Sequence, residues 1–297
     1  MSRLFEALQR SEPGLSFEFP QATSLANEVL QTVKADADEL GQFPSLQISV
    51  SPNSRLVSLM GEGSLGAEQF RFLGVRLRQL QRARPLKKIL ITSTIPGEGK
   101  SMVSGNLAVV LAGKKQNKIL LLEGDLRRPV LAQRFGLGNL AGLSEQLQGT
   151  SSAAPNIYHL EEPGFWFLPA GSPPENPLEL MQSGRLSELL DQLSARFDWI
   201  VIDSPPLLPL ADTSVWMRFA DSVLLVTREG KTEKRQLQRG LQVLNQSNLV
   251  GVVLNSCTNA DHSSYYQAYL PVAAGPRAKL GSKNSTPPRS TPRYLKC

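Results

Sequence analysis

Cysteine and histidine are scarce in this chain of 297 residues, which has two of each. Cys257 and Cys297 lack the C-x-x-C spacing of many metal and redox sites. His159 and His262 are also isolated in the sequence, so a metal role for either has little support. The sequence therefore does not fit a disulfide-bonded framework or a structural zinc domain.

Long apolar runs are also missing. No stretch approaches the ~20 consecutive apolar residues of a transmembrane helix, and residues 1–6 do not open a signal peptide. We therefore expect a soluble, cytoplasmic protein. The hydrophobic content of 41% is sufficient for one core of about 200 residues. We expect one folded domain at 61–270 with a segment on either side of it.

The C-terminal segment, residues 271–297, has no acidic residue. It carries six basic residues, which equals the net charge of +6 of the whole chain, and it is rich in proline and serine. We expect a disordered tail that either contacts an anionic membrane surface or an acidic partner, or has no partner. Basic and aromatic residues do not interleave on a recognisable fold, so nucleic acid is not expected as a partner.

The N-terminal segment, residues 1–60, opens with a short amphipathic pattern at Leu4, Phe5 and Leu8. It continues through polar, proline-containing sequence to about residue 53. This pattern predicts a docking helix followed by a linker, with a frayed amphipathic end as the alternative.

Between these segments, apolar runs and helical patterns alternate. Strands are predicted at about 88–94, 118–123, 164–168, 198–203, 222–227 and 249–255. Helices are predicted at Leu65 to Gln81, Met102 to Ala112, Leu178 to Ala195 and Glu233 to Gln246. Such alternation predicts an α/β fold with a mostly parallel sheet flanked by helices.

Residues 94–101, with the sequence TIPGEGKS, follow the first of these strands and precede a helix. In a phosphate-binding loop, glycines turn backbone N–H groups onto a nucleotide's phosphates and the lysine reaches the outer oxygens. Thr94 replaces the usual first glycine. The predicted nucleotide-binding residues are Pro96, Gly97, Glu98, Gly99, Lys100, Ser101 and Met102.

Two further predicted strands end in acidic residues. One ends at Glu123 and is followed closely by Asp125, and the other ends at Asp203. Carboxyl ends of parallel strands meet at one edge of a sheet, so these acids should lie beside the phosphate loop. Ser101, Asp125 and Asp203 are therefore the predicted Mg²⁺ ligands, directly or through water. Each acid alone could instead cap a helix or turn a loop.

Three segments resemble the Walker A, A′ and B motifs of bacterial tyrosine kinases, the capsule and exopolysaccharide autokinases of the CpsD/CapB/Wzc type. They are residues 93–101, 123–129 and 202–206. The resemblance extends over about 66–270, with further similar segments at 167–171, 176–180 and 251–255. It implies a P-loop NTPase fold of the MinD/ParA-like type, with ATP and Mg²⁺ as cofactors.

Two residues depart from the family pattern. Glu123 stands where the first acid is usually aspartate, which puts its role as a base or metal ligand in doubt. Residues 68–71 resemble the start of the family's E-x-x-R-x-x-R oligomerisation motif, but Gly74 occupies the last position. The motif that is associated with ring formation is therefore incomplete in this helix.

The resemblance also assigns roles to individual residues. Lys100, Asp125, Glu123 and Asp203 become the catalytic set. Asn255 contacts adenine or, alternatively, closes a turn. A tyrosine hydroxyl has an unperturbed pKa near ~10, so an acid must accept its proton at neutral pH. Asp125 is the first candidate for this base and Glu123 the second.

The predicted acceptors are Tyr265, Tyr266 and Tyr269, which resemble the family's autophosphorylation cluster. They could instead pack as a final amphipathic turn. The resemblance further implies a homo-oligomer that phosphorylates in trans, and a separate transmembrane polysaccharide co-polymerase that recruits the chain to the inner face of the plasma membrane.

Two alternatives to a kinase stay open. MinD and ParA ATPases share these motifs but carry a signature lysine where this chain has Ile95. That loss removes a charge that an ATPase switch of this type needs. The other alternative is a nucleotide-binding scaffold that Glu123 has made inactive.

Overall fold

The computed structural model describes residues 40–60, 64–113, 117–150, 155–208, 210–244 and 248–257. The strands are β1 (Ser45–Leu46), β2 (Lys88–Ser93), β3 (Ile119–Glu123), β4 (Tyr158–Leu160), β5 (Phe165–Leu168), β6 (Trp199–Asp203), β7 (Ser222–Arg228) and β8 (Leu249–Asn255). The helices are α1 (Val57–Met60), α2 (Leu65–Ala83), α3 (Lys100–Ala112), α4 (Leu131–Arg134), α5 (Leu143–Gln148), α6 (Pro177–Gln182), α7 (Gly184–Arg196), α8 (Asp212–Phe219) and α9 (Lys234–Val243). No described helix has the length and apolar character needed to cross a membrane.

The strands form one eight-stranded sheet in the order β1-β4-β5-β3-β6-β2-β7-β8. Every neighbouring pair is parallel except β4 and β5. The central strands are almost entirely buried because both of their faces are covered by helices. This explains why they read as continuous apolar runs rather than alternating ones.

Helices cover the two faces of the sheet with separate apolar cores. On one face, Leu77 of α2 and Leu107 of α3 pack on Ile89 and Val201. On the other, Leu190 of α7 and Trp216 of α8 belong to the core that contains strand residues such as Leu120 and Ile202. The predicted α/β fold with a mostly parallel sheet is confirmed.

One predicted helix, Leu178 to Ala195, is two helices in the structure. Asn176 caps α6 by accepting a hydrogen bond from the Glu179 N–H, and Pro177 occupies the first turn. Ser183 is extended, with φ −62° and ψ 143°, and it starts α7. The apolar periodicity continues across Ser183, so it did not reveal the break. The short strands β1 and β4 also escaped prediction.

Residues 40–60 pack onto the domain, although the sequence assigned them to a linker. β1 pairs with β4, and Leu56 is fully buried. A Cβ built on Gly105 of α3 would lie 2.8 Å from Leu56 Cδ2. The domain therefore begins before residue 61. The expected docking helix in residues 1–39 and the basic tail at 271–297 lie outside the described residues.

Gly74, the departure from the E-x-x-R-x-x-R motif, faces inward. It is buried in α2, and a Cβ built on it would lie 2.6 Å from Val110 Cγ1 of α3. An arginine side chain therefore does not fit here without moving α2 away from α3. Glu68 and Arg71 form an ion pair one turn earlier on the same helix.

We predict that Gly74→Arg lowers the free energy of unfolding by about 1–3 kcal/mol, because the side chain overpacks the α2–α3 contact. Val75→Arg is the matched control, since Val75 is 45% exposed and its replacement should change stability by less than about 0.5 kcal/mol. Urea unfolding of the two variants measures the difference. Equal stability of both would contradict the packing described for Gly74.

Candidate nucleotide-binding site

The candidate site lies at the carboxyl ends of β2, β3 and β6, where the phosphate loop and two acidic segments converge. Asp203 is in register with Ile91 of β2 and with Glu123 of β3. The N–H of Gly124 donates to the Asp203 carbonyl at 2.7 Å. This register brings the predicted acids to one edge of the sheet.

The loop from Thr94 to Gly99 adopts a conformation that depends on its glycines. Gly97 and Gly99 have φ of 79° and 97°, a region that other residues rarely occupy. A Cβ on Gly99 would lie 2.1 Å from Asn255 Nδ2. The loop leads directly into α3, whose first residue is Lys100. Its backbone N–H groups can therefore converge with the helix N-terminus on an anion.

Thr94, which replaces the first glycine of the motif, is fully buried. Its side chain packs against α9 at Gly240, where an added Cβ would lie 3.1 Å from both Thr94 Cγ2 and Oγ1. Thr94 stands where the loop usually has its first glycine, and the absence of a side chain at Gly240 on the neighbouring helix leaves room for the threonine.

The carboxylate of Glu98 stabilises the phosphate loop by hydrogen bonds. Its Oε2 accepts the Ile95 N–H at 2.8 Å, and its Oε1 accepts a hydrogen bond from the Thr232 hydroxyl. Asn255 Nδ2 donates to the Glu98 carbonyl at 2.9 Å. Glu98 is fully buried and is not among the residues that line the cavity beside the loop, so its carboxylate holds the loop rather than a ligand. The adenine contact expected of Asn255 stays a prediction.

Lys100 and Asp125 form a largely buried ion pair, with side chains 13% and 5% exposed and 3.0 Å between Nζ and Oδ2. The other oxygen of Asp125 accepts the Arg128 N–H at 3.1 Å. Asp203 Oδ1 accepts a hydrogen bond from Ser104 at 3.1 Å. Its Oδ2 is buried and has no hydrogen-bond partner in the described part of the chain.

Burial and neighbouring charges have opposite effects on the pKa values of Lys100 and Asp203. Burial alone would lower the pKa of Lys100, but Asp203 and Asp125 outweigh it and raise that pKa, so the ammonium stays charged. Complete burial raises the pKa of Asp203 despite the attraction of Lys100. A dication beside Asp203 would favour its ionised form.

Glu123 makes its hydrogen bonds to backbone N–H groups and not to Lys100. Its Oε1 accepts the N–H groups of Val130 and Leu131 at 2.6 and 2.5 Å, and its Oε2 accepts that of Ala170 at 3.3 Å. Burial raises the pKa of Glu123 in spite of these bonds. The carboxylate thereby joins the loop after β3 to the loop after β5. This geometry favours a positioning role over the predicted role as a base.

A cavity of about 720 Å³ lies against the phosphate loop. The predicted residues that line it are Pro96, Gly97, Gly99, Lys100, Ser101, Met102, Asp125 and Asn255. Among the residues that the sequence did not single out, Asn53, Arg55 and Arg134 also line it. Asn106 Nδ2 donates to the carbonyl of Arg55, whose φ is 59°. No sequence pattern indicated these positions, because they approach the loop only through tertiary packing.

The residues present fit a magnesium nucleotide. The glycine loop offers N–H groups, Lys100 offers a cation, and the unpartnered Asp203 Oδ2 offers an acceptor beside the Ser101 hydroxyl. Among the described residues, no cluster of three or more His, Cys, Asp or Glu side chains could hold a metal ion. Mg²⁺ takes few protein ligands and keeps several waters, so the Ser101 hydroxyl and Asp203 Oδ2 are ligands of the kind that it needs. Fold and site together define a P-loop nucleotide-binding protein.

Comparison with known proteins shows to which family of P-loop proteins the chain belongs. The chain is 35% identical over 212 residues to tyrosine-protein kinase YwqD of Bacillus subtilis, covering 71% of this chain and 89% of that protein. No protein-family model matches. The chain belongs to the bacterial tyrosine-protein kinases. It spans only about a quarter of longer relatives, such as 23% of tyrosine-protein kinase ptk of Acinetobacter johnsonii.

Solved structures agree. The chimerical protein CapA2B2 has a TM-score of 0.64 at 30% identity, covering 76% of this chain and 99% of that chain. The kinase domain of the Escherichia coli tyrosine kinase ETK has a TM-score of 0.64 at 27% identity, covering 76% and 96%.

We predict that Glu123→Asp destabilises the domain by about 1–3 kcal/mol, because the shorter side chain leaves buried N–H groups unsatisfied. Glu123→Gln keeps the length and the two short bonds, so it should cost less. Thermal unfolding of both variants measures the order. If Glu123→Gln is as stable as the unchanged protein but forms no phosphotyrosine, Glu123 is the base instead.

Proposed function

We propose that this chain is an ATP- and Mg²⁺-dependent protein-tyrosine autokinase that regulates exopolysaccharide or capsule polymerisation or export. The observation that carries the proposal is the buried Lys100–Asp125 pair at the phosphate loop, in a chain that belongs to the tyrosine-protein kinases. The link to polysaccharide export rests on the family resemblance.

The residues of the site have different roles in this proposal. Ser101, Asp125 and Asp203 would hold Mg²⁺, which when bound neutralises charge on the phosphates. Lys100 stabilises negative charge on the transferring phosphoryl group. Asp125 lies at the cavity wall, where it can accept the proton of a tyrosine hydroxyl held in line with the terminal phosphate.

The acceptor side of the proposal concerns Tyr265, Tyr266 and Tyr269, which lie outside the described residues. The last described segment, β8, ends at Asn255 beside the phosphate loop. The tyrosines follow ten or more positions later, which is enough chain to reach a neighbouring subunit. We therefore propose phosphorylation in trans within a homo-oligomer.

A membrane partner completes the proposal. We propose that a separate transmembrane polysaccharide co-polymerase recruits the chain to the inner face of the membrane and activates it. The basic tail at 271–297, with six basic residues and no acid, would add attraction to an anionic lipid surface.

We predict that Lys100→Met lowers phosphotyrosine formation by at least about 100-fold, because the transferring phosphoryl group loses a buried cation that stabilises its negative charge. Lys234→Met, a change at an exposed lysine of α9, is the control and should keep full activity. Immunoblotting for phosphotyrosine after incubation with MgATP measures both. Since Lys100 is largely buried, circular dichroism on the same samples must find the variant folded. A folded Lys100→Met protein with unchanged phosphotyrosine would refute the assignment of this loop.

We predict that replacing Tyr265, Tyr266 and Tyr269 together with Phe removes most of the phosphotyrosine but leaves nucleotide binding unchanged. Phenylalanine keeps the ring and its packing while deleting the attacking oxygen. Mass spectrometry of the phosphorylated protein locates the modified residues. Dominant phosphate on Tyr158 or Tyr294 would show that the cluster is not the acceptor.

A further inference from the structure

The end of β7 and the start of the loop that leads to α9, together residues 228–232 and called the 228–232 loop, are hydrogen-bonded to the phosphate loop. Arg228 donates from NH1 to the Gly97 carbonyl at 3.4 Å. The Thr232 hydroxyl donates to Glu98 Oε1 and accepts the Arg228 N–H at 2.9 Å. Because Glu98 is fully buried, these contacts hold the two loops in one fixed relation.

Lys231 lies within this fastened loop and faces the phosphate loop. Its Nζ is 2.4 Å from the position that a Cβ on Gly97 would occupy. Lys231 is exposed, and no ion pair to it is formed among the residues that the structure describes. An ammonium beside Gly97 that pairs with no carboxylate of the described residues is available to an anion at the cavity, which Gly97 and Arg228 both line.

The order of residues along the loop indicates which part of a nucleotide this ammonium would meet. Residues Gly99 to Met102 open α3, and the helix N-terminus holds the inner phosphates in this class of loop. Gly97 precedes these residues in the loop and is not part of α3. Ile95, two residues earlier, brings no charge of its own. A cation at Gly97 therefore suits the outermost phosphate.

We propose that Lys231 binds the terminal phosphate of a nucleoside triphosphate from within the same chain, so that the 228–232 loop distinguishes the triphosphate from the diphosphate. Thr232 is a positioning residue in this arrangement, since its bond to Glu98 sets where Lys231 lies. This inference rests on the proposed function, because it requires that the cavity bind ATP.

The test compares the affinities of two probes, a non-hydrolysable ATP analogue and ADP, by calorimetric titration of the purified chain with Mg²⁺ present. Lys231→Met should weaken the ATP analogue about tenfold, as expected for loss of one charge-assisted hydrogen bond, and ADP by less than about twofold. Lys234→Met, three residues away on α9 and equally exposed, should change neither affinity. Lys231→Arg should restore most of the preference for the triphosphate, and Thr232→Val should reduce it.

The outcomes separate this inference from the proposed function. If the unchanged chain binds both probes and Lys231→Met leaves their ratio unchanged, the role of Lys231 is refuted while the kinase proposal stands. An equal loss of affinity for both probes also refutes it, since the terminal phosphate would not be the partner. If the unchanged chain binds neither probe, the proposed function fails and the inference fails with it.

Discussion

Acidic side chains buried at one end of a parallel sheet are the constraint on which the rest of this site depends. Asp203 and Glu123 lie side by side in register, and Asp125 and Glu98 are buried close to the same edge. A buried carboxylate is costly unless each oxygen finds a partner. Loops, a helix N-terminus and Lys100 supply partners for all of these carboxylate oxygens except Asp203 Oδ2.

The four carboxylates are satisfied in different ways, and the differences assign their roles. Both carboxylate oxygens of Glu98 and of Glu123 accept hydrogen bonds from backbone N–H groups or a hydroxyl, so these two residues hold loops in place. Asp125 is shared between Lys100 and the Arg128 N–H. Asp203 alone keeps a buried oxygen without a partner among the described residues. Asp203 thus has an oxygen with capacity left for a metal, whereas Asp125 is held at the cavity wall by its ion pair with Lys100.

Local features of this fold were predictable from the sequence, because local physics determines them. Apolar runs gave the positions of β2, β3, β6 and β7, and the glycines of the 94–101 loop indicated its conformation. The parallel direction of these strands was sufficient to predict that they all end at the same edge of the sheet. The direction of side chains within that edge was not predictable. Glu98 was expected in the binding set and Glu123 in the catalytic set, yet both turn towards backbone donors.

Features that depend on contacts distant in sequence also escaped prediction. Arg55 reaches the cavity because Asn106, 51 positions away, binds its carbonyl. Thr94 packs against Gly240, and Glu98 accepts a hydrogen bond from Thr232. Both contacts join segments that are far apart in the sequence, so no local sequence pattern predicts them. The strand β1 is two residues long, too short for any periodicity to predict. These elements are set by packing, which a single sequence does not display.

The most direct test of the account follows the terminal phosphate of ATP. The purified chain is incubated with Mg²⁺ and ATP labelled on that phosphate, and the label is divided among phosphotyrosine, free phosphate and intact ATP. The account predicts label on tyrosines of the chain itself. Label released only as free phosphate would identify an ATPase switch, and bound ATP without turnover would identify an inactive scaffold. Either result would contradict a tyrosine kinase.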